Sequence, residues 1–336
     1  NESIRKAKMK EIDIRPKAIF EEYLKLSAQD AEVMLLDGSE KFVDILCPAC
    51  ESGDREDYCQ KNGFMIKRCA DCGSIFCSPR PAMSQLQKFY LNSSSSKFWA
   101  EQFLPTVVEA RREKLFKPKA KQIYDLLSLR GLQPQNICDV GAGHGLLLEE
   151  LQRFWHTAAF YAIEPGRESA AICRHKGFKV LEKMVEEAHE WRESADLVTC
   201  FEVIEHVFNP RNFIASIYRL IKKGGFCLIT GLGGDGFDIQ VLGDESRSIF
   251  PPHHLNFMSV RGLEQIFTNV GFTNVEITTP GKLDVDIVKN AIQEQGVAVP
   301  LVIRTILDRG ESACEQLQKY LVEHKLSSHV WILARK

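Results

Sequence analysis

The chain has 336 residues, enough for two or three structural units, and its 44% apolar fraction supplies a sizeable core. A formal net charge of −2 gives no general electrostatic footprint for nucleic acid or an anionic membrane. No apolar run reaches about 18 residues, so no membrane-spanning helix is expected.

The first residues are polar and charged, unlike a secretory leader. The chain starts at Asn1, which leaves room for processing or trimming. Residues 1–44 read as an N-terminal helical arm. Ile19, Phe20, Tyr23, Leu24 and Leu26 recur at helical spacing and predict one amphipathic helix in RPKAIFEEYLKL, a packing arm.

Residues 45–80 change character. Cys47-Pro-Ala-Cys50, eighteen residues, then Cys69-Ala-Asp-Cys72 is the spacing of a zinc ribbon. Each C-x-x-C turns tightly, so two thiolates reach one ion. Two such knuckles make a closed tetrahedron of four sulfurs, which is a structural rather than a catalytic site. The metal compensates for a core too small to fold this segment alone. A redox reading would need a thioredoxin-like unit, which the pattern does not provide. Cys59 and Cys77 are spare thiols, and Cys138, Cys200 and Cys227 fall in apolar strand-like runs as small hydrophobes. With eleven cysteines placed this way, the chain is expected to be cytoplasmic and reduced.

Residues 81–282 form the largest unit. A helix is predicted from near Ser84, a loop over 92–98 in NSSSSKF, and a long helix over 107–130. From 136 to 280, strands and helices alternate. The strand-like runs are NICDVGA, AFYAIEP, FKVLE, ADLVTCFEV, GFCLITGL and NVEITTP. Helix patterns lie near 145–154, 166–176, 183–190, 210–222 and 260–270. Gly224-Gly225 is expected to stop the fourth of these. A polar, glycine-rich loop covers 233–248. The alternation predicts an α/β fold with a mostly parallel sheet covered on both faces. Residues 283–327 read as a helical insertion and 328–336 as a final strand of that sheet.

The stretch ICDVGAGHGLLLEEL, residues 137–151, carries the most chemistry. Its glycines fall as G-x-G-x-G, and Leu146 stands where a dinucleotide fingerprint places its third glycine. Asp139 lies two residues before Gly141. A carboxylate there repels a pyrophosphate and attracts a cationic amino-acid end. Glu164, ending the next strand, has the position of an acid that takes both ribose hydroxyls.

DVGAGHG, IEP, ADLVTCFEVIEHVFNP and LIKKGGFCLIT together resemble the class I S-adenosylmethionine-dependent methyltransferases, over roughly 110–280 plus the last strand. The resemblance implies a Rossmann-like methyltransferase sheet with S-adenosyl-L-methionine as cofactor. It implies that Asp139, Gly141, Ala142 and Gly143 line the methionine part and that Gly145 allows close backbone approach. It further implies that Glu164 binds ribose and that Phe201 and Glu202 flank the adenosine and methyl donor. FPPHHLNFMSVRGLEQIF resembles a stretch of small-molecule methyltransferases in which a histidine precedes a helix start. It is also similar to sugar C-methyltransferases, which carry an N-terminal zinc-binding unit and a Tyr-His-Glu-His-Leu pattern. Here His254 and Leu255 match that pattern, while Pro251 and Pro252 replace its Tyr and first His.

Methyl transfer from a sulfonium needs alignment and exclusion of water, and a base if the acceptor is a hydroxyl. His254 is the first candidate for base or substrate contact, with His253 and His206 behind it. Glu205 reads as a helix N-terminal charge, and His144 as a loop residue facing solvent or backbone. The expected function is methyl transfer to a small molecule, with a nucleotide-linked or cell-surface sugar as acceptor. Two alternatives are an RNA or protein methyltransferase docking through the ribbon and a non-catalytic cofactor-binding module. CFEV lacks the Asn/Asp-Pro-Pro-aromatic clamp for a flipped base, and no Pro-Cys nucleophile is present, so a nucleic-acid partner is disfavoured.

Overall fold

The computed structural model describes residues 10–38 and 40–336; residues 1–9 and Ser39 of the expected arm lie outside the described residues. Helix α1 (Lys17–Asp37) starts after Pro16 and buries Phe20, Tyr23, Ser27, Ala31 and Met34 at helical spacing. Strands β1 (Arg55–Lys61), β2 (Phe64–Cys69) and β3 (Ile75–Cys77) form an antiparallel ribbon.

Helices α2 (Met83–Asn92), α3 (Ser94–Phe98), α4 (Leu104–Arg111) and α5 (Lys117–Ser128) follow. The serine run expected as a loop is α3. The Ser93 side chain accepts from the Ser96 amide at 3.2 Å, and Asp30 of α1 accepts from the Ser94 and Ser95 amides at 3.2 and 2.7 Å. Hydroxyls that compete for backbone groups in a helix interior are good caps at its start. The long helix expected over 107–130 continues from α3 with π-type turns at Trp99–Phe103 and Arg112–Phe116.

The alternating half supplies β4 (Asn136–Val140), α6 (Leu146–Gln152), β5 (Ala159–Ile163), α7 (Arg167–His175), β6 (Lys179–Leu181), β7 (Ala195–Phe201), α8 (Pro210–Leu220) and β8 (Ile221–Leu232). Then come α9 (Phe237–Leu242), β9 (Asn256–Phe257), α10 (Val260–Val270), β10 (Thr273–Thr278), α11 (Asp284–Gln295), α12 (Leu301–Leu307), α13 (Glu311–Glu323) and β11 (His329–Arg335). The seven-stranded sheet runs β10-β11-β8-β7-β4-β5-β6. Strands β8, β7, β4, β5 and β6 are parallel, and β11 enters antiparallel between β8 and β10. Alternate residues of each strand feed two cores. Cys138 and Val140 pack with Ile214, Ile217 and Phe267 on one face, and Ile137 packs with Ile123 and Leu148 on the other.

Two expected helical features differ. Residues 183–190 form short 3-10 turns at Val185–Glu187 and His189–Trp191 instead of a helix. Gly224-Gly225 lie inside β8, because Ile221 already pairs with Ala195 of β7 and strand pairing begins at once after α8. Asn209 caps α8 through the Asn212 amide, with Pro210 at its first position. No helix among the described residues is long and apolar enough to cross a membrane.

The ribbon does not stand apart. Strand β9 adds to it antiparallel, with Ile75 opposite Phe257 and Phe76 opposite Asn256. The buried Arg80 guanidinium donates to the carbonyls of Cys77, Phe208 and Leu255 and to Asn256 Oδ1. Ser259 caps α10 and donates its hydroxyl to the Cys72 carbonyl at 2.5 Å.

Candidate active site

Two carboxyls stand at the carboxyl ends of neighbouring strands. Asp139, 3% exposed, accepts from the Thr199 hydroxyl at 2.7 Å through Oδ1, and that is its one recorded bond among the described residues. Burial pushes its pKa up to about 7, Glu164 adding to the rise and the Thr199 hydroxyl opposing it. Glu164 is also raised by burial. Its Oε2 accepts from the Gly143 amide and its Oε1 from the Gly166 amide, both at 2.8 Å. Glu164 therefore ties the glycine loop to the turn before α7.

The loop needs its glycines for two different reasons. Gly141 has φ +72°, and a Cβ there would lie 2.5 Å from Val203 Cγ2. Gly143 has φ +52°, yet no atom lies within 4 Å of where its Cβ would be. Its backbone borders open space. Ala142 is buried in the core beneath, Gly145 leads into α6, and the His144 carbonyl accepts from Lys176 Nζ at 2.7 Å. One buried and one half-buried carboxyl beside open backbone suit a cationic ligand and disfavour a diphosphate. The ammonium and sulfonium of S-adenosylmethionine meet that demand.

Strand β7 ends in Phe201 and Glu202. Phe201 packs 6.0 Å from Trp331, with Lys119 Nζ 4.9 Å from its ring centroid. Glu202 has φ +55°, an uncommon conformation for its type. Its Oε1 accepts from the Thr230 hydroxyl at 2.7 Å and lies 3.6 Å from Lys119 Nζ and 3.4 Å from His329 Nδ1. Burial works to raise Glu202, but the surrounding positive groups and Thr230 bring it down to about 2. His329 is itself depressed to about 4 by burial, so Lys119 is the counter-charge at neutral pH. Glu202 keeps 37% of its side-chain surface accessible while sitting deep among these groups, so it lines a cleft.

Beyond Glu202 the chain turns through Glu205 and His206. The segment before β9 returns beside it, with the Leu255 and Asn256 amides donating to the Glu205 carbonyl at 2.7 and 3.1 Å. His206 Nδ1 lies 2.9 Å from the His253 carbonyl, and His254 Nδ1 lies 2.7 Å from the Ser248 carbonyl. A carbonyl only accepts, so both Nδ1 atoms carry the proton and both neutral rings leave Nε2 as a bare acceptor. The two rings are 4.8 Å apart. One polar atom from each of Glu205, His206 and His254 lies within 4.8 Å of the others. Burial lowers His254 to about 3, with His206 contributing, and burial also lowers His206. Both imidazoles are neutral at physiological pH.

His253 is placed differently. Its ring stacks on Phe250, centroids 5.4 Å apart, and packs near Tyr23 and Phe89. Its Nε2 lies 3.1 Å from the Ser95 hydroxyl. Its carbonyl accepts from Tyr90 and His206. Glu205, read from sequence as a helix-terminal charge, is buried at 2% exposure with no partner for Oε2. Burial, with Glu202 adding to it, pushes its pKa well above the ordinary carboxylate value. Lys119, Arg111, Tyr90 and His329 also border this cleft and carry no local sequence signal.

The four ribbon cysteines converge. Cys47, Cys50, Cys69 and Cys72 offer sulfurs that all lie within 4.8 Å of one another. The Cys47–Cys72 and Cys50–Cys69 sulfurs are 3.5 Å apart, far from the ~2.0 Å of a disulfide. A tetrahedral ion with ~2.3 Å bonds to sulfur spaces its ligands by roughly 3.8 Å. The cluster has the dimensions of such a closed site.

The sheet order and the acid-glycine edge define a class I S-adenosylmethionine-dependent methyltransferase. The chain belongs to the methyltransferase-domain family, which it matches over residues 109–277. It is 32% identical over 129 residues to the ubiquinone biosynthesis O-methyltransferase of Pseudomonas savastanoi pv. phaseolicola, covering 34% of this chain and 53% of that one. It is 38% identical over 109 residues to the mitochondrial ubiquinone biosynthesis O-methyltransferase of Rattus norvegicus, covering 30% of this chain and 31% of that protein. The chain thus spans about half the length, or less, of these curated relatives. Among solved structures it is similar to a phosphoethanolamine N-methyltransferase of Haemonchus contortus, with TM-score 0.50 and 17% identity, covering 78% of this chain and 62% of that one. That likeness speaks to the fold alone.

Proposed function

We propose that this chain transfers the methyl group of S-adenosylmethionine to a hydroxyl of a small molecule. The observation that carries the reading is the pair of acids, buried Asp139 and half-buried Glu164, beside the open backbone of Gly143. When bound, the cofactor supplies a methyl on a positively charged sulfur, already a good leaving group. Asp139 would hold the cationic amino-acid end, and Gly141, Ala142, Gly143 and Gly145 would shape its bed. Glu164 would meet the ribose with the lone pairs not used on Gly143 and Gly166, and Phe201 and Glu202 would border the donor.

On the acceptor side, His254 Nε2 takes the hydroxyl proton, with His206 as its partner at ring contact. His253 contributes packing and its carbonyl rather than its ring. Helix α1, through Phe20 and Tyr23 on Trp99, Phe103 and Phe250, covers this edge and excludes water. The cysteine cluster would hold structural zinc, and its links to β9 and Ser259 fix the segment that carries His254.

The O-methyltransferase names of the relatives favour a hydroxyl acceptor. The ribbon lies outside the matched residues 109–277, so their acceptor does not carry over with it. The two-part architecture favours a nucleotide-linked or cell-surface sugar. The test is differential thermal stabilisation by S-adenosylmethionine against NAD. A clear rise with the former is expected, and a larger rise with NAD overturns the proposal.

A further inference from the structure

Two arginines of this chain pack among its elements and are treated differently, Arg80 fully buried and Arg111 half-buried. Arg80 spends its guanidinium on three carbonyls and one amide oxygen, with no acid needed. That is how this fold satisfies a guanidinium that serves only structure. Arg111, ending α4, has no such set. Its Nε is sealed from solvent and has no hydrogen-bond partner among the described residues. Among the described residues it makes no ion pair, and its guanidinium carbon sits 5.8 Å from the centroid of the Trp99 ring.

The charges acting on Arg111 do not neutralise it. A second guanidinium, Arg15, repels it and Glu202 attracts it. Glu202 is already shared by Lys119, Thr230 and His329. Glu205, buried at 2% exposure, makes no ion pair among the described residues, and burial raises its pKa. Arg111 and Lys119 therefore share Glu202 as their acid, while Arg15 lies 3.8 Å from Glu11. A guanidinium whose Nε is sealed and unpaired, with no acid bound to it, is a group that an anion completes. Its planar fork matches carboxylate or phosphate oxygens in pairs.

We propose that Arg111, with Lys119 beside it, is the seat of an oxyanion carried by the methyl acceptor, a carboxylate or a phosphate ester. This deepens the methyltransferase reading and rests on it. Glu202 joins the two ends of the cleft, because it acts on Arg111 as well as on His206 and His254. The acceptor is thus held by its anion at α4 while its hydroxyl faces His254. A positive wall also suits an anionic acceptor approaching a cationic methyl donor.

The experiment uses the full chain saturated with S-adenosylhomocysteine. Inorganic phosphate and benzoate are titrated by calorimetry, with benzamide as the neutral control. Wild type is expected to bind one of the anions and not benzamide. Arg111→Gln should weaken that binding at least tenfold while holding S-adenosylhomocysteine affinity within about twofold, which also certifies its fold. Arg111→Lys, keeping charge without the fork, should fall between. Turnover on a hydroxybenzoate against a sugar phosphate then separates a carboxylate from a phosphate source. Equal anion binding by wild type and Arg111→Gln overturns the inference, as does faster methylation of a neutral analogue. No binding of S-adenosylhomocysteine by wild type would instead sink the methyltransferase reading, and this inference with it.

Discussion

The glycine edge and the acceptor cleft meet at the end of β7 but are built in opposite ways. The edge comes from two short contiguous motifs, 139–145 and 164–166, joined at the Glu164 carboxylate, which accepts hydrogen bonds from the Gly143 and Gly166 amides. The cleft draws on α4, α5, the turn after β7, the segment before β9 and the start of β11. It is held together at a distance, by the Glu205 carbonyl, by Arg80 and by the ribbon sheet. The contrast teaches that the proposed donor site is a local property of the chain, whereas the proposed acceptor site depends on tertiary contacts that reach back to residue 80 and the cysteine knuckles.

The largest expected effect tests the cleft directly. His254→Ala should lower kcat about a hundredfold or more, the usual worth of a positioned base, with S-adenosylhomocysteine affinity unchanged. Steady-state kinetics paired with calorimetry checks it, and an unaltered kcat would remove His254 from the chemistry.

Next, Cys69→Ser should abolish bound zinc and cost on the order of a hundredfold in turnover by displacing His254, since an ångström of misplacement has that effect. Cofactor binding should survive within a few-fold. Elemental analysis showing full zinc content in the variant would reject the four-cysteine site. Loss of cofactor binding would break the proposed separation of edge and cleft.

Asp139→Ala should then weaken S-adenosylmethionine binding by about ten- to a hundredfold, as for a charged hydrogen bond, leaving the circular dichroism spectrum intact. Unchanged affinity would void the electrostatic account of the edge.

The smallest effect is a pH dependence. Asp139 is raised to about 7 with no ligand cation beside it, so it is partly protonated at neutrality. A cationic ligand needs the carboxylate, so affinity should rise with pH through about 7 and level off above. Below that point it should fall by at most about tenfold per unit, with proton release on binding. Calorimetry in buffers of different ionisation enthalpy reads this directly, and Asp139→Asn should flatten the profile.

Legibility in the sequence follows the same division. The placement of Asp139, Gly141 and Gly143 on one strand-turn-helix unit, and of Glu164 at the end of the next strand, is legible because short spacing fixes it. The cysteines were visible because two tight turns can meet on one ion. Glu205 was misread because its neighbours in sequence resemble a helix start, whereas its burial comes from the returning 255–256 backbone. The NSSSSKF stretch was misread for a related reason: serines favour loops until an acid from another helix, here Asp30, accepts their amides.

By itself the sequence determined the parallel α/β sheet, the acid-glycine edge and the paired knuckles, because periodicity, turn chemistry and short spacing are local. Only the tertiary structure decided which histidine rings face each other, that β9 joins the ribbon, and that Arg111 has no ion-pair partner among the described residues. Those outcomes depend on which distant groups share one low-dielectric pocket, and burial is a property of the packed whole rather than of any segment.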